Sequence, residues 1–373
     1  LIFHSTSKKP ILIAGNGVHS AGAEKILLEF AEKTNIPVLT TMNAVDLIQA
    51  DDKLGFIGVY GNRVANMIVN ASDLVISIGA RLGLRQIGNI KEYFAPNAKL
   101  IRVDIDEYEL SRTIKEDEEK YLEDAKEFLT RLMAEDISDY SDWKNKCYEA
   151  KSILSEYDRE PGNLCMEKIS ELLPEDAKVA VDVGQTLCWA AQSLTLKGKD
   201  GRLFIGGSYG SMGCGLPMAI GASISDNKKS VFCVTGDGGL QMNIQELQAV
   251  VTEKLPIKIL VINNHVLGKI SEIQEKSYGS RFAQTTEGSG YGVPDFVKVA
   301  EAYGIKATNA DGYRELDKYK DWFTDDDACL ISIEIPSDSK LIPKVNWNSN
   351  EILPAIDDVV EQKVKRMLGD EIE

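Results

Sequence analysis

The sequence predicts an α/β protein made of two doubly wound parallel-sheet domains, the first Rossmann-like. Three observations carry that expectation. From Pro10 onward, short β-rich runs alternate with helical stretches, the pattern of parallel strands joined by crossover helices. Several runs are almost continuously aliphatic or β-branched, as in strands buried on both faces. Between two such blocks, residues 135–162 lose the strand alternation and gain charge, as an inter-domain connection does. The chain has 373 residues, 43% of them hydrophobic and 27% charged, which is enough for two cores. The expected organisation is a first domain at 1–134, a linker at 135–162, a second domain at 163–345 and a tail at 346–373.

In the first block, a strand at 11–14 leads into Gly15-Asn16-Gly17 and a helix with Ile26, Leu27, Phe30 and Ala31 on one face. Further strands are expected at 37–41, 74–78 and 100–105. The second block has strands at 179–183, 231–235, 257–262 and 330–335, with helices in the gaps. No repeat of fixed period and no low-complexity segment interrupts this order. The Gly15-x-Gly17 pair, with Gly22, invites a dinucleotide reading, although such a pair alone is a weak signal. A nicotinamide enzyme needs an acidic ribose-binding residue after the second strand, and Thr40-Thr41-Met42 offers none.

Composition narrows the function classes. A net charge of -16 and a pI near 4.8 argue against nucleic acid, whose binding draws on clustered Lys and Arg. No apolar run is long enough to span a bilayer and no leader pattern opens the chain, so no membrane is expected and the cytoplasm is the default location. The six cysteines, at 147, 165, 188, 214, 233 and 329, form no Cys-x-x-Cys pair and are expected reduced in the core. His4, His19 and His265 are too dispersed for a metal cluster, and the Asp325-Asp326-Asp327 run reads as a solvated turn. The chain opens with Leu1 rather than Met, as though something upstream had been removed.

One constellation carries chemistry. The strand at 231–235 runs into Gly236-Asp237-Gly238-Gly239, followed by Ile244, Leu247 and Val250 or Val251 at helical spacing. The next strand ends in Asn263-Asn264, and the 24 residues from 239 to 262 suit one helical crossover. Two adjacent parallel strands would deliver Asp237 and Asn264 to the edge where open α/β sheets bind ligands. The pair suits Mg²⁺ on a diphosphate: the ion takes one or two side-chain oxygens and completes its shell with phosphate and water. Gly238 and Gly239 would let backbone N–H groups approach the phosphates at a helix start, whose dipole favours an anion. Either segment alone is equally well an ordinary turn or strand-end cap, and the spaced pair is what points to a ligand.

Gly-Asp-Gly followed by Asn-Asn at this distance resembles the signature of thiamin-diphosphate (ThDP) enzymes. Further stretches resemble acetolactate synthase large (catalytic) subunits: Val181-Asp182-Val183-Gly184-Gln185 with Trp189-Ala190-Ala191-Gln192, Gly210-Ser211-Met212-Gly213-Cys214-Gly215-Leu216-Pro217, Gly79-Ala80-Arg81, and 94–98 with 104–106. The likeness reaches to about residue 336 and covers only the family's central and C-terminal diphosphate-binding domains. It implies Asp237, Asn264 and the backbone oxygen of Val266 as Mg²⁺ ligands. It also implies Gln185, Thr186, Gly238 and Gly239 at the diphosphate, with Leu267 and Gly268 beside it. Gly210 and Met212 would hold the aminopyrimidine ring.

The same resemblance implies what is not here. The family's N-terminal pyrimidine-binding domain supplies the glutamate that hydrogen-bonds the pyrimidine N1′, and no residue of this chain matches it, so no catalytic residue is assigned. That domain is expected in cis or on a partner chain, the assembly is expected to be a homodimer or homotetramer, and this chain alone is expected to be inactive. After Asn264 the family usually reads Leu-Gly-Met, with a tryptophan further on. Leu267-Gly268-Lys269 and Ile273 stand here, and Lys269 either recruits an anionic substrate group or snorkels to solvent.

The implied activity is making or breaking a C–C bond next to the carbonyl of a 2-oxo acid. The alternatives are a ThDP-dependent decarboxylase, lyase or C–C hydrolase on another 2-oxo acid or a diketone, or a catalytically idle binding or assembly module. Acetolactate synthases place FAD against the central domain, and Arg85 falls where the family has an arginine near the flavin. Leu82-Gly83-Leu84 replaces the usual Phe-Asp-Asp, which leaves FAD and a vacant structural domain as competing readings.

Overall fold

A computed structural model describes residues 7–49, 52–206 and 209–369. The chain divides into two compact units, one formed by the described residues of Leu1–Asp158 with Ile342–Glu373, the other by Arg159–Leu341.

The first unit is built on five parallel strands: β1 (Pro10–Ala14), β2 (Val38–Thr40), β3 (Leu74–Ile78), β4 (Lys99–Asp104) and β5 (Glu119–Leu122), in the order β2-β1-β3-β4-β5. β1 and β3 are buried along their whole length, as their unbroken aliphatic sequence requires. At the carboxyl ends of these two strands the glycines hold chain against chain. A Cβ on Gly15 would lie 2.1 Å from the Gly79 carbonyl oxygen, and one on Gly17 would lie 2.6 Å from the Gly79 Cα. The glycine pair that hinted at a dinucleotide therefore serves close packing between two strand ends.

Two segments of the sequence reading are placed differently here. The helix Ser141–Ile153, within the expected linker, buries Trp143, Cys147 and Ala150 in the first unit, and the Trp143 indole donates to the Pro10 carbonyl at 3.1 Å. The expected tail also belongs to this unit. The helix Asp358–Leu368 buries Val364 and Leu368, and Arg63, itself 4% exposed, donates to the Pro354 carbonyl at 2.8 Å while clamping Asp158 at 2.8 and 2.7 Å.

The second unit holds six parallel strands: β6 (Lys178–Val181), β7 (Arg202–Ile205), β8 (Val231–Gly236), β9 (Ile257–Asn263), β10 (Lys306–Ala310) and β11 (Cys329–Glu334). Their order is β10-β11-β9-β8-β6-β7. The chain leaves β6 toward β7 on one side and leaves β8 toward β9 on the other, so the connections diverge between β6 and β8. Divergence of this kind opens a crevice at the carboxyl edge of an α/β sheet. Lys258 is buried on β9 and is neutralised by Asp325 at 2.5 Å, which also receives Lys306 at 2.6 Å. The aspartate run is thus not merely a solvated turn: its first member is the counter-ion of a buried lysine. All six cysteines are free, five of them buried. No helix among the described residues is long and apolar enough to cross a membrane.

Candidate functional site

The carboxyl ends of β6, β8 and β9 bring the motif residues together. The register Gly236↔Ile262 sets Asp237 and Asn264 just beyond two neighbouring strand ends. Asp237 is 3% exposed. Its Oδ1 accepts the Gly238 N–H at 2.6 Å and the Tyr291 hydroxyl at 3.1 Å, while its Oδ2 has no hydrogen-bond partner among the described residues. Burial pushes this carboxyl above the ordinary aspartate range, against the opposing pull of the Gly238 N–H and the Tyr291 hydroxyl and the weaker pull of the His265 N–H, which makes no hydrogen bond to it. A buried carboxylate oxygen without a donor is costly and calls for an explanation. Asn264, 6% exposed, gives its amide nitrogen to Gln185 Oε1 at 3.2 Å, which fixes the orientation of the carboxamide.

Glycines make room around this pair. A Cβ on Gly238 would meet Leu267 Cδ2 at 2.4 Å, the Tyr291 hydroxyl at 3.0 Å and Met212 Cε at 3.4 Å, so those three side chains converge over Gly238. A Cβ on Gly268 would fall 1.9 Å from Gln185 Oε1, and one on Gly236 would fall 3.3 Å from Thr186 Oγ1. The turn after β9 passes through His265 at φ +56° to the buried Val266, and the Leu267 N–H is held by the Thr285 carbonyl at 2.9 Å. His265 itself pairs with Glu334 at 2.7 Å, and His19 sits between Glu24 and Asp46; His4 lies outside the described residues.

The helix expected after Gly239 is not continuous. It runs Asp237–Met242, breaks at Asn243, and resumes as Leu247–Thr252. Asn243 breaks it because its side chain reaches out to donate to the Gly213 carbonyl at 2.8 Å. Six residues carry little macrodipole, so the first-turn N–H groups other than that of Gly238, which Asp237 Oδ1 already holds, are what this segment offers an anion.

Two residues to which the sequence assigned no role organise the site. Asp182, just past β6, accepts from the Gly213 N–H at 3.0 Å and the Thr235 hydroxyl at 3.0 Å, tying β6 to β8 and to the loop of Gly210 and Met212. A Cβ on Gly239 would come within 2.7 Å of Asp182 Oδ2. Tyr291 is the other, and it sits in a glycine-rich loop with no motif around it. Gly210 adopts φ +63° with open space around it, and Met212 is 40% exposed. Gln185 is placed beside Asn264, but its amide is already engaged, donating to the Ser339 carbonyl at 3.3 Å. Among the described residues no group of three His, Cys, Asp or Glu side chains forms a metal cage, so a cation at Asp237 would rely on a carboxamide and backbone oxygen as well.

An open parallel sheet with a buried, half-unpartnered carboxylate and a glycine floor at its topological switch point defines a cofactor-binding α/β enzyme domain. The chain belongs to the thiamine pyrophosphate enzyme family: the model of the family's C-terminal TPP binding domain matches residues 182–333, and that of its central domain matches residues 5–132. Among its relatives, the probable acetolactate synthase large subunit of Methanocaldococcus jannaschii is 34% identical over 98% of this chain and 64% of its own length. The acetolactate synthase large subunit of Lactococcus lactis is 35% identical over 91% of this chain and 60% of its own. The acetolactate synthase isozyme 2 large subunit of Escherichia coli is 34% identical over 80% of this chain and 54% of its own. The chain thus spans somewhat less than two thirds of the length of these relatives.

Proposed function

We propose that this chain forms the cofactor-diphosphate part of a ThDP- and Mg²⁺-dependent enzyme resembling acetolactate synthase, acting on the bond next to the carbonyl of a 2-oxo acid. The observation that carries the reading is the unpartnered Asp237 Oδ2 beside an oriented Asn264 over a floor that excludes side chains. A hard cation supplies what that oxygen lacks, and an acid–amide–backbone donor set fits Mg²⁺. Asp237, Asn264 and the backbone oxygen of Val266 would hold the ion. Gln185, Thr186, Gly238, Gly239, Leu267 and Gly268 would surround the diphosphate, with Gly210 and Met212 toward the aminopyrimidine. When bound, ThDP supplies the carbon nucleophile that adds to a carbonyl carbon. The chain's own part is to fix the diphosphate end, keep Asp237 and Asn264 in register through β8 and β9, and shield the site with Leu267, Met212 and Tyr291.

The activating glutamate would come from a pyrimidine-binding domain, in cis or on a partner chain, within a homodimer or homotetramer in the cytoplasm. The helix Gly268–Tyr278, next to the site, supports a covering surface: it buries none of its side chains and leaves Ile270, Ile273 and Tyr278 46%, 47% and 60% exposed. FAD is left outside this reading, because Leu82-Gly83-Leu84 stands where the family usually has Phe-Asp-Asp.

Titration calorimetry with ThDP, with and without Mg²⁺, tests the proposal. Metal-dependent binding is expected to weaken at least about 100-fold in Asp237→Ala, the order expected for losing a charged ligand. Binding indifferent to both metal and substitution, or none at all, would favour an idle assembly module.

A further inference from the structure

Tyr291 stands outside every motif, yet its hydroxyl reaches the centre of the site. It lies on the loop between the helices Gly268–Tyr278 and Phe296–Ala302. That loop is braced internally: the Tyr291 N–H bonds the Thr286 carbonyl at 3.0 Å, and the Thr286 N–H bonds Ser289 Oγ at 2.9 Å. It is also fastened to the motif segment, since Gln241 donates to the Gly292 carbonyl at 3.2 Å. Tyr291 is therefore held on both sides of its own position, and its ring forms part of the wall of a cavity of about 590 Å³ that also reaches Asn263 and Glu334.

The consequence concerns one oxygen atom. The Tyr291 hydroxyl and the Gly238 N–H both bond Asp237 Oδ1, at 3.1 and 2.6 Å, and together fix the plane of the carboxylate. Oδ2, the second oxygen of the same carboxylate, is left without a partner among the described residues. We infer that Tyr291 is a positioning residue for cation capture: it occupies Oδ1 so that Asp237 meets the metal through Oδ2 alone. One-oxygen coordination leaves the remaining positions of an octahedral shell to phosphate, carboxamide and backbone oxygen, whereas a bidentate carboxylate is the habit of larger, more flexible sites. The inference rests on the metal–diphosphate reading proposed above and extends it to a side chain that touches neither metal nor diphosphate in its argued role.

Tyr291→Phe removes the hydroxyl and keeps the ring. Mn²⁺ binding followed by electron paramagnetic resonance in the presence of ThDP is expected to weaken about ten-fold, the order expected for a hydrogen bond to a charged group. ThDP affinity measured without metal should stay within about two-fold of wild type. An unchanged Mn²⁺ affinity in Tyr291→Phe, with wild type binding normally, overturns this inference alone. A lowered thermal midpoint of the metal-free protein with unchanged Mn²⁺ affinity would make the hydroxyl merely structural and overturns it too. Absence of ThDP-dependent Mn²⁺ binding in wild type overturns the inference together with the reading beneath it.

Discussion

Asp237 and Lys53 are buried groups of opposite sign, and burial moves them in opposite directions. The Asp237 carboxyl is pushed up, while desolvation brings the Lys53 ammonium down to about 8, with Asp46 opposing and Lys151 adding to the shift. For Lys53 the linkage is definite. The unfolded chain keeps this proton to about 10.4, and the folded chain releases it near 8, so between those values the unfolded state binds more protons and stability rises with pH. Lys53→Met removes that dependence. Urea unfolding is expected to show the variant gaining on wild type by about 1–3 kcal/mol at pH 7, with the gain fading toward pH 10.5; a difference that does not change with pH would contradict the assignment.

The same scale shows which functional residues were legible. Asp237 and Asn264 could be found because a carboxylate and a carboxamide each follow a continuous aliphatic strand. Asp182 and Tyr291 act through hydrogen bonds to residues 31 and 54 positions away, and nothing local in the sequence marks such pairings. Asp325 misled in the opposite sense, because its charge run looks solvated until Lys258 is found buried 67 positions earlier.

Among the elements, strands buried on both faces declared themselves, the edge strand β2 included because all of it is buried, and the other edge strands did not. β1, β3, β8, β9 and β11 are apolar runs. β5, β7 and β10, which the sequence reading passed over, all lie at sheet edges and keep half-exposed or exposed residues. Such an edge strand lacks the two-sided burial that writes a continuous hydrophobic signal. The helix Gly268–Tyr278 is the converse case, with apolar residues at helical spacing that the chain itself leaves uncovered. Ile270→Glu with Ile273→Glu is therefore expected to leave unfolding free energy within about 0.5 kcal/mol of wild type, as for surface changes. In protein carrying the pyrimidine-binding domain, the same pair should disrupt assembly, measured by sedimentation velocity. A large loss of stability with assembly intact would place the helix in this chain's own core instead.

At the scale of the whole molecule, two parallel sheets were readable because alternation of strand and helix is repeated many times along the chain. The return of the C-terminal segment to the first unit was not, since it depends on contacts such as Arg63 with the Ile352 and Pro354 carbonyls, 289 and 291 positions apart. The proposed cofactor binding falls wholly within the unit Arg159–Leu341, at the carboxyl ends of its strands β6, β8 and β9. The most direct measurement is the anomalous scattering of Mn²⁺ in crystals grown with ThDP. A single strong peak about 2.1 Å from Asp237 Oδ2 and from the Asn264 carbonyl oxygen, the distance of Mg²⁺-type coordination, is the predicted result; saturating ThDP with no peak there, or a peak held by other residues, would contradict the account.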